Sequence, residues 1–306
     1  MSRYASIDVG TNSVLLLVAE RREGSRFEAV LERAEITRLG RGVDKAKRLA
    51  PEAIEDTLAV VEAFAKEARE LGAKDLVVSA TSAARDAQNG SEFLDGARRR
   101  AGVTVEIITG DEEARLSFAS AFADFGGVGP LVVVDIGGGS TEFIFGDAQG
   151  AVSFRRSFDV GSVRLAERHL HADPPTAEEL ARLRGVLDDT FGSLPQAPPG
   201  ARLIAVAGTA TTICAVSRAI DPYDATQVHG AVLSRAEVMR TVERLSALPL
   251  VLRKTVPGLE PRRADVIVAG GLVLEAAMDR VAAQEVTVSD RGLRWGLLVD
   301  RFGNRA

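Results

Sequence analysis

The strongest constraint in this sequence is a pattern that occurs twice: an apolar strand, an acidic residue, a glycine turn and a second apolar strand. The two copies read IDVGTNSVLLLV and VDIGGGSTEFIF, so Asp8 aligns with Asp135 and Gly10 with Gly137 at one offset (135 − 8 = 127). In each copy a further strand-like segment follows, which predicts three consecutive antiparallel strands. A duplicated supersecondary unit predicts a molecule built from two domains of the same plan.

Chain length agrees with this division, because 306 residues is about twice the usual domain length of roughly 150. The sequence predicts one domain at residues 1–125 and another at residues 126–306, with the last helix able to pack back on the first. Helical periodicity begins at Pro51, and helices and strands alternate after it, which predicts a mixed α/β fold. The dipeptide Gly24-Ser25 is predicted to form a hairpin turn in the first half.

Further helices and strands are indicated by local signals. Two capping boxes, Thr176-x-x-Glu179 and Ser234-x-x-Glu237, predict helix starts in the second half. The other predicted elements are strands at 75–81, 103–109, 131–146 (with a turn), 151–158 and 203–208, and helices near 91–101 and 111–125.

Composition limits the function classes. Net charge is −5 with both signs interspersed, which argues against a general nucleic-acid binder, although local arginine clusters could still serve a polyanionic substrate. No apolar stretch approaches the roughly 20 residues that span a bilayer, so we expect a cytoplasmic protein that does not enter the membrane. One cysteine excludes an internal disulfide, and His169 and His171 are read either as a metal pair or as a solvated loop.

The glycine turns carry the chemistry that the sequence suggests. Glycine lets the backbone turn tightly so that its N–H groups can face a ligand, and a nest of N–H groups beside hydroxyls binds phosphate. An acid at the end of the preceding strand can hold Mg²⁺, which neutralises phosphoryl oxygens. The alternative is an ordinary hairpin with polar turn residues, but two such turns in register favour a metal and phosphate site.

A third glycine turn, AVAGTATTICAV, runs from a strand directly into a helix. Its N–H groups at Thr209, Ala210 and Thr211 are expected to point at an anion bound at the helix start. The expected phosphate-binding residues of the three turns are Gly10, Thr11, Asn12, Ser13, Gly137, Gly138, Gly139, Ser140, Thr141, Gly208 and Thr209.

Together these turns resemble those of the actin, Hsp70 and sugar-kinase superfamily, and more closely those of its Ppx/GppA phosphatase branch. The resemblance is carried by ASIDVGTNSVLLLV, SATSAARDAQN, IITGDEEARLSF, VVDIGGGSTEFI, DVGSVRL, AVAGTATT, RRADVIVAGG and VSDRGLRWG, in this order along the chain. It implies an α/β fold of two duplicated actin-like (ASKHA, ribonuclease H-like) domains with a cleft between them that closes on the substrate. The chain resembles the short, two-domain form of the family.

The same resemblance implies roles for individual residues. Glu113 would be the catalytic base, Asp135 and Glu142 would hold Mg²⁺ or Mn²⁺ with Asp8 nearby, and Arg85 would clamp phosphate. From the residues alone, Glu113 could equally be an acid that complements a helix dipole. Arg85 could likewise be a surface residue paired with its neighbour in the chain. Weaker candidates for a basic track are Arg262, Arg263, Arg291 and Arg294.

The expected activity is hydrolysis of terminal phosphoanhydride bonds of inorganic polyphosphate, with Glu113 activating the attacking water. Within the family the alternative substrate is guanosine pentaphosphate, which presents the same terminal bond. From other classes, a superfamily kinase and a nucleotide-binding regulator remain open, and phosphate release without an acceptor would exclude the kinase. The family also suggests a homodimer, for which the sequence shows no interface.

Overall fold

The computed structural model describes residues 2–23 and 26–303, so the predicted Gly24-Ser25 turn lies outside the described residues. The chain divides into two compact units. One comprises Met1–Ser120 with Leu293–Ala306, and the other comprises Ala121–Gly292. The first unit therefore ends at Ser120 rather than at 125, and the last helix is part of it.

The first unit is a five-stranded sheet with helices on it. In chain order its elements are β1 Arg3–Val9, β2 Ser13–Arg21, β3 Phe27–Ile36, α1 Val43–Ala46, α2 Pro51–Glu70, β4 Ala73–Ala80, α3 Ser82–Asp86, α4 Gly90–Ala101, β5 Val105–Ile107 and α5 Gly110–Phe125, which runs on into the second unit. The strand order is β3-β2-β1-β4-β5, with β1 antiparallel to β2 and parallel to β4.

Both faces of this sheet are covered, because successive residues of a strand point to opposite sides. On β2, Leu16 belongs to a core formed with α2 and α4, whereas the next residue, Leu17, belongs to a core formed with the last helix. Trp295 and Phe302 of that helix are buried in the second of these cores. The last helix is thus needed to close the first unit.

The second unit repeats the plan with more helices. Its elements are β6 Leu131–Ile136, β7 Thr141–Gly146, β8 Val152–Phe158, α6 Ser162–His169, α7 Ala177–Phe191, β9 Arg202–Val206, α8 Ala207–Arg218, α9 Ala225–Val228, β10 Val232–Ser234, α10 Arg235–Ser246, α11 Leu250–Arg253, a 3₁₀ turn Pro261–Arg263, α12 Ile267–Arg280 and β11 Glu285–Val288; α13 Leu293–Phe302 is the last helix, in the first unit. The strand order is β8-β7-β6-β9-β11-β10.

The duplication predicted from sequence is confirmed in the hydrogen bonds. Gly10 N–H donates to the Ser13 carbonyl at 2.9 Å, and Gly137 N–H donates to the Ser140 carbonyl at 3.0 Å, at the same offset of 127 residues (137 − 10 and 140 − 13). In each sheet three antiparallel strands are followed by two strands parallel to the first of the three. The two units therefore share this five-strand topology, to which the second adds β10, antiparallel to β11.

Local predictions mostly hold. Both capping boxes form, at the starts of α7 and α10, and α2 begins at Pro51. The strand predicted at 203–208 ends earlier, at Val206, because Ala207 turns the chain with a positive φ of 69° and begins α8. Among the described residues, no helix combines the length and the apolar character that crossing a bilayer requires.

Candidate active site

In the second unit, the glycine turn is tied to the start of α6 through its carbonyl groups. The N–H of Ser162 donates to the Gly137 carbonyl at 3.0 Å. Arg164, which is buried, donates its backbone N–H to the Gly138 carbonyl at 3.1 Å and its Nε to the Gly139 carbonyl at 2.7 Å. Three successive carbonyls of the turn are therefore directed into the protein.

This arrangement decides where the N–H groups of the turn point. In a trans peptide the C=O and the following N–H point in opposite directions, so carbonyls held by α6 direct the next N–H groups away from it. Within the described part of the chain, the N–H groups of Gly138 and Gly139 make no hydrogen bond to protein. N–H groups oriented in this way have the geometry of an anion-binding nest, and phosphate binding is the role predicted for this turn.

The turn of the first unit is arranged in the same way by a different segment. Gly40 N–H donates to the Thr11 carbonyl at 2.8 Å, and Arg38 N–H donates to the Asn12 carbonyl at 3.0 Å. The Thr11 hydroxyl lies 3.2 Å from that of Ser82, the first residue of α3. The loop after β3 thus performs here the task that α6 performs in the other unit.

The acids at the strand ends are placed by sheet register. Asp135 on β6 and Glu142 on β7 are directly opposed, and both are buried. Directly opposed residues of antiparallel strands share one face, with Cβ atoms about 5 Å apart. Glu142 in turn opposes Ser157 on β8, whose hydroxyl donates to Glu142 Oε1 at 2.7 Å. The structure therefore brings both predicted carboxylates of this unit together.

In the first unit the corresponding row holds a single acid. Asp8 on β1 is buried and opposes Leu15 on β2, which stands 127 residues before Glu142 (142 − 15 = 127). On its other side Asp8 is in register with Ser79 of the parallel strand β4. The capacity for paired carboxylates is therefore confined to the second of the two repeats.

The donor set suits a hard divalent cation. Across the described residues, no three His, Cys, Asp or Glu side chains form a group that could hold a metal ion. Mg²⁺ does not require one, because it keeps several waters and is bound by one or two carboxylates together with substrate phosphates. Asp135 and Glu142, two buried oxygen donors beside a phosphate nest, fit that requirement.

Two neighbouring acids in the first turn of α5 have different surroundings. Glu112 is tied to Arg115 by two hydrogen bonds, at 2.9 and 2.8 Å. Glu113 is buried, and its Oε2 lies 3.6 Å from Nη1 of Arg85. The Arg85 Nη1 also donates to the Ile108 carbonyl at 3.0 Å, which holds the guanidinium at this place.

Arg85 thus lies next to the predicted base. Its other carboxylate neighbour, Asp86, has its Oδ1 4.0 Å from the Arg85 Nε, so the surface pair considered from sequence is the looser contact. The side chain of Arg85 is about a quarter exposed, at 25%, which leaves the guanidinium accessible to a ligand.

At the third turn an arginine is placed against the start of a helix. A Cβ atom at Gly208 would overlap the guanidinium of Arg263, so glycine at this position makes the approach possible. Removal from water lowers the pKa of Arg263, an effect opposed by Tyr223, Glu260 and Asp290. The start of α8 also carries partial positive charge, so two groups that attract anions are adjacent at this turn.

This helix begins earlier than the sequence suggests, which changes the expected donors. The first four N–H groups of a helix, counted from its N-cap, have no intrahelical acceptor, and in α8, whose N-cap is Val206, these belong to residues 206–209. Thr209, a predicted phosphate ligand, is among them and is buried, whereas Thr211 is not. The Gly208 carbonyl is held by the Thr212 hydroxyl at 2.6 Å.

Two of the weaker arginine candidates are engaged elsewhere within their own unit. Arg294 is buried and donates to Glu32 Oε2 at 2.5 Å, and Arg291 donates to Asp124 Oδ1 at 2.7 Å. Both ion pairs are structural contacts. Arg263, by contrast, lies at the glycine turn of Gly208.

Sequence reasoning assigned no role to Ser157 or Arg164. Arg164 stands in the quoted motif DVGSVRL, and its spacing from an α6 start at Ser162 could have suggested contact with the glycine turn. Ser157 shows only in the register of β7 and β8, which a single sequence does not give.

Comparison with known proteins places these features in a family context. The sequence model of the Ppx/GppA phosphatase family matches residues 17–305. The chain is 35% identical to exopolyphosphatase 2 of Mycobacterium tuberculosis (strain ATCC 25618 / H37Rv) over an alignment 319 residues long, which covers 99% of each protein. The match extends over both units.

Solved structures agree over the same extent. The Ppx/GppA family member of Aquifex aeolicus is similar with a TM-score of 0.84 and 34% identity, covering 100% of this chain and 99% of that one. An exopolyphosphatase from Cytophaga hutchinsonii is similar with a TM-score of 0.88 and 25% identity, covering 98% of each chain. Together with the shared strand order, these matches confirm the predicted α/β fold of two duplicated actin-like domains.

Proposed function

Because this chain belongs to the Ppx/GppA phosphatase family, whose members are phosphoanhydride hydrolases, we propose that it releases orthophosphate from the ends of inorganic polyphosphate. The observation that carries the proposal is the pair of turns whose carbonyls are tied into the protein, so that their N–H groups are oriented for phosphoryl oxygens. The full-length similarity to exopolyphosphatase 2 supports the choice of substrate.

Asp135 and Glu142 would hold Mg²⁺, or Mn²⁺ in its place, with Asp8 as the corresponding acid of the first unit. When bound, the cation supplies charge neutralisation to the phosphoryl group that is transferred. The fit rests on the two buried carboxylates in direct register next to the turn Gly137–Gly139. This chain's own contribution is to fix those oxygens on strands rather than on loops.

Glu113 would orient the attacking water and accept its proton. The water oxygen forms a bond to the terminal phosphorus while the bridging P–O bond breaks, so the products are orthophosphate and a chain one phosphate shorter. Glu113 is buried beside Arg85, the proposed phosphate ligand, so the base and that ligand are adjacent. Glu112 lacks this setting, since Arg115 occupies its carboxylate.

Charge that develops on the phosphoryl oxygens would be stabilised by the oriented N–H groups and by guanidinium groups. Arg85 is accessible beside Glu113, and Arg263 lies at the start of α8 with Gly208. Preorganised donors of this kind need no reorientation during the reaction.

The test is orthophosphate release in the presence of Mg²⁺ from polyphosphate of several lengths, from guanosine pentaphosphate and from ATP. We expect wild-type enzyme to prefer polyphosphate and Glu113→Gln to lose at least about 100-fold in kcat, the range of a general base. Glu112→Gln is the matched control, and its activity should remain close to wild type.

Each other result has a defined meaning. Preference for guanosine pentaphosphate would move the substrate assignment while keeping the catalytic residues. Full activity of Glu113→Gln would remove the proposed base. Phosphate transfer to an added hydroxyl compound without hydrolysis would contradict the hydrolase proposal.

A further inference from the structure

The row of residues that crosses β6, β7 and β8 is polar in the second unit. Asp135, Glu142 and Ser157 are in direct register, so their side chains share one face of the sheet. The hydroxyl of Ser157 donates to Glu142 Oε1 at 2.7 Å, a normal distance for a hydrogen bond to a carboxylate. Glu142 is fully buried at 0% exposure, so its carboxylate depends on protein groups such as this hydroxyl for hydrogen bonds.

The equivalent row of the first unit has only one polar residue. There Asp8 opposes Leu15, and Leu15 opposes Ala34. The first acid is therefore present in both repeats, whereas the second acid and the hydroxyl are present together in one repeat and absent together from the other. This joint difference associates Ser157 with Glu142 rather than with the sheet in general.

A glutamate side chain needs such a contact if its carboxylate is to act at a fixed place. It has three rotatable bonds, and fixing them on burial costs conformational entropy. A hydrogen bond from the neighbouring strand selects one orientation in advance. In metal sites, partners that orient the ligands in this way influence affinity about 10- to 100-fold when they are removed.

We propose that Ser157 is a positioning residue for the metal site, whose hydroxyl holds the Glu142 carboxylate in the orientation that, with Asp135, receives the divalent cation. The inference rests on the proposed function, because it presupposes that these two acids are the metal ligands. Ser157 itself contacts neither substrate nor metal in this proposal. It acts from the edge strand β8, through one hydrogen bond.

The experiment measures Mn²⁺ binding to the full chain without substrate, by the loss of the free-ion electron paramagnetic resonance signal on titration. We expect Ser157→Ala to weaken Mn²⁺ binding about tenfold or more. Ser157→Thr keeps the hydroxyl on a strand and should restore most of the affinity. Mg²⁺ should displace the bound Mn²⁺ from wild type, and the melting temperatures of the variants should stay close to that of wild type.

Matched controls separate this inference from the proposed function. Ser153→Ala removes another serine of β8, one that bonds the Phe145 carbonyl at 3.3 Å, and should leave Mn²⁺ affinity unchanged. Asp135→Asn should abolish binding.

Wild-type affinity in Ser157→Ala, with binding lost in Asp135→Asn, would overturn the role of Ser157 and leave the metal assignment standing. Binding that survives Asp135→Asn, or no Mn²⁺ binding by wild type, would overturn the metal assignment and this inference with it. Loss in Ser157→Ala that Ser157→Thr does not restore would also count against the hydroxyl's role.

Discussion

Arg85 and Glu113 come from separate helices of the first unit and meet at 3.6 Å between Nη1 and Oε2. The contact is longer than a hydrogen bond, and the stronger tie of Arg85 is to the Ile108 carbonyl at 3.0 Å. Both contacts use the same nitrogen, Nη1, so the donors on Nε and Nη2 remain for phosphoryl oxygens. This division of donors is what distinguishes arginine from lysine at such a site.

We expect Arg85→Gln to lower kcat/KM about 10- to 100-fold, because a hydrogen bond to a charged group contributes about 1.5–3 kcal/mol. Steady-state kinetics of phosphate release measures this change. Asp86→Asn serves as the control, because it removes the other carboxylate neighbour of Arg85 without touching the guanidinium. Equal losses in both variants would show that the ion pair with Asp86 matters, and not contact with substrate.

At the scale of elements, the two phosphate turns show that one backbone conformation can be held by unrelated supports. In the second unit the start of α6 binds the carbonyls of the turn, and in the first unit the loop after β3 does so. The close approach of α6 depends on Gly161, where a Cβ atom would lie 2.6 Å from both the carbonyl carbon and the carbonyl oxygen of Gly138. The backbone there is extended, with φ −151° and ψ 167°, so sterics alone require glycine.

Gly161→Ala should therefore disturb the turn directly. Because the obstructing atoms are backbone, we expect a loss of about 1–3 kcal/mol in unfolding free energy. We also expect phosphate release from polyphosphate to be at least tenfold slower. Gly185→Ala is the matched control: Gly185 lies inside α7 with open space around it, and alanine there should stabilise by up to about 1 kcal/mol. Urea unfolding and phosphate release measure both. A Gly161→Ala variant as active as wild type would mean that α6 does not hold the turn.

Elements with a clear local signal could be predicted from the sequence, and those fixed by tertiary contacts could not. The capping boxes of α7 and α10 and the proline start of α2 are examples of the first kind. The five-residue helix α3 is of the second kind, because its start is placed by contacts such as Ser82 with Thr11. The end of β9 at Val206, earlier than predicted, is also of the second kind, because residue type does not predict a positive φ at an alanine such as Ala207.

At the scale of the whole molecule, the second unit is a continuous insertion into the first. The chain leaves the first unit after Ser120 and returns at Leu293 to add its last helix. That helix packs Phe302 against Tyr4, with ring centroids 4.7 Å apart, and buries Trp295, the single tryptophan of the sequence. Fluorescence of Trp295 therefore reports on the first unit specifically.

We expect Phe302→Ala to destabilise the first unit by about 3–5 kcal/mol, the usual cost of truncating a buried phenylalanine. The measurement is urea unfolding followed by Trp295 fluorescence, compared with circular dichroism, which also senses the second unit. Val299→Ala on the same helix, where the side chain is 39% exposed, should cost less than about 1 kcal/mol. An unchanged fluorescence midpoint in Phe302→Ala would show that the last helix is dispensable.

The duplication and the candidate acids could be predicted because both are written locally, as a repeated motif at one offset. The partnership of Asp135 with Glu142 follows almost as directly, since a tight turn between two strands fixes their register. Contacts that join distant segments could not be read in this way. The contact of Arg263 with Gly208 and that of Ser157 with Glu142 depend on how helices and strands pack, which a single sequence does not give.

The interrupted layout of the first unit also governs the order in which the chain can mature during its synthesis. Translation delivers β1 to β5 first, but the core on one face of that sheet stays open until Trp295 and Phe302 have left the ribosome. The second unit has by then been made in full, and domains generally fold as units as they emerge. The half of the molecule that is translated first is thus the half that finishes folding last, and its exposed apolar face would be open to chaperones throughout elongation.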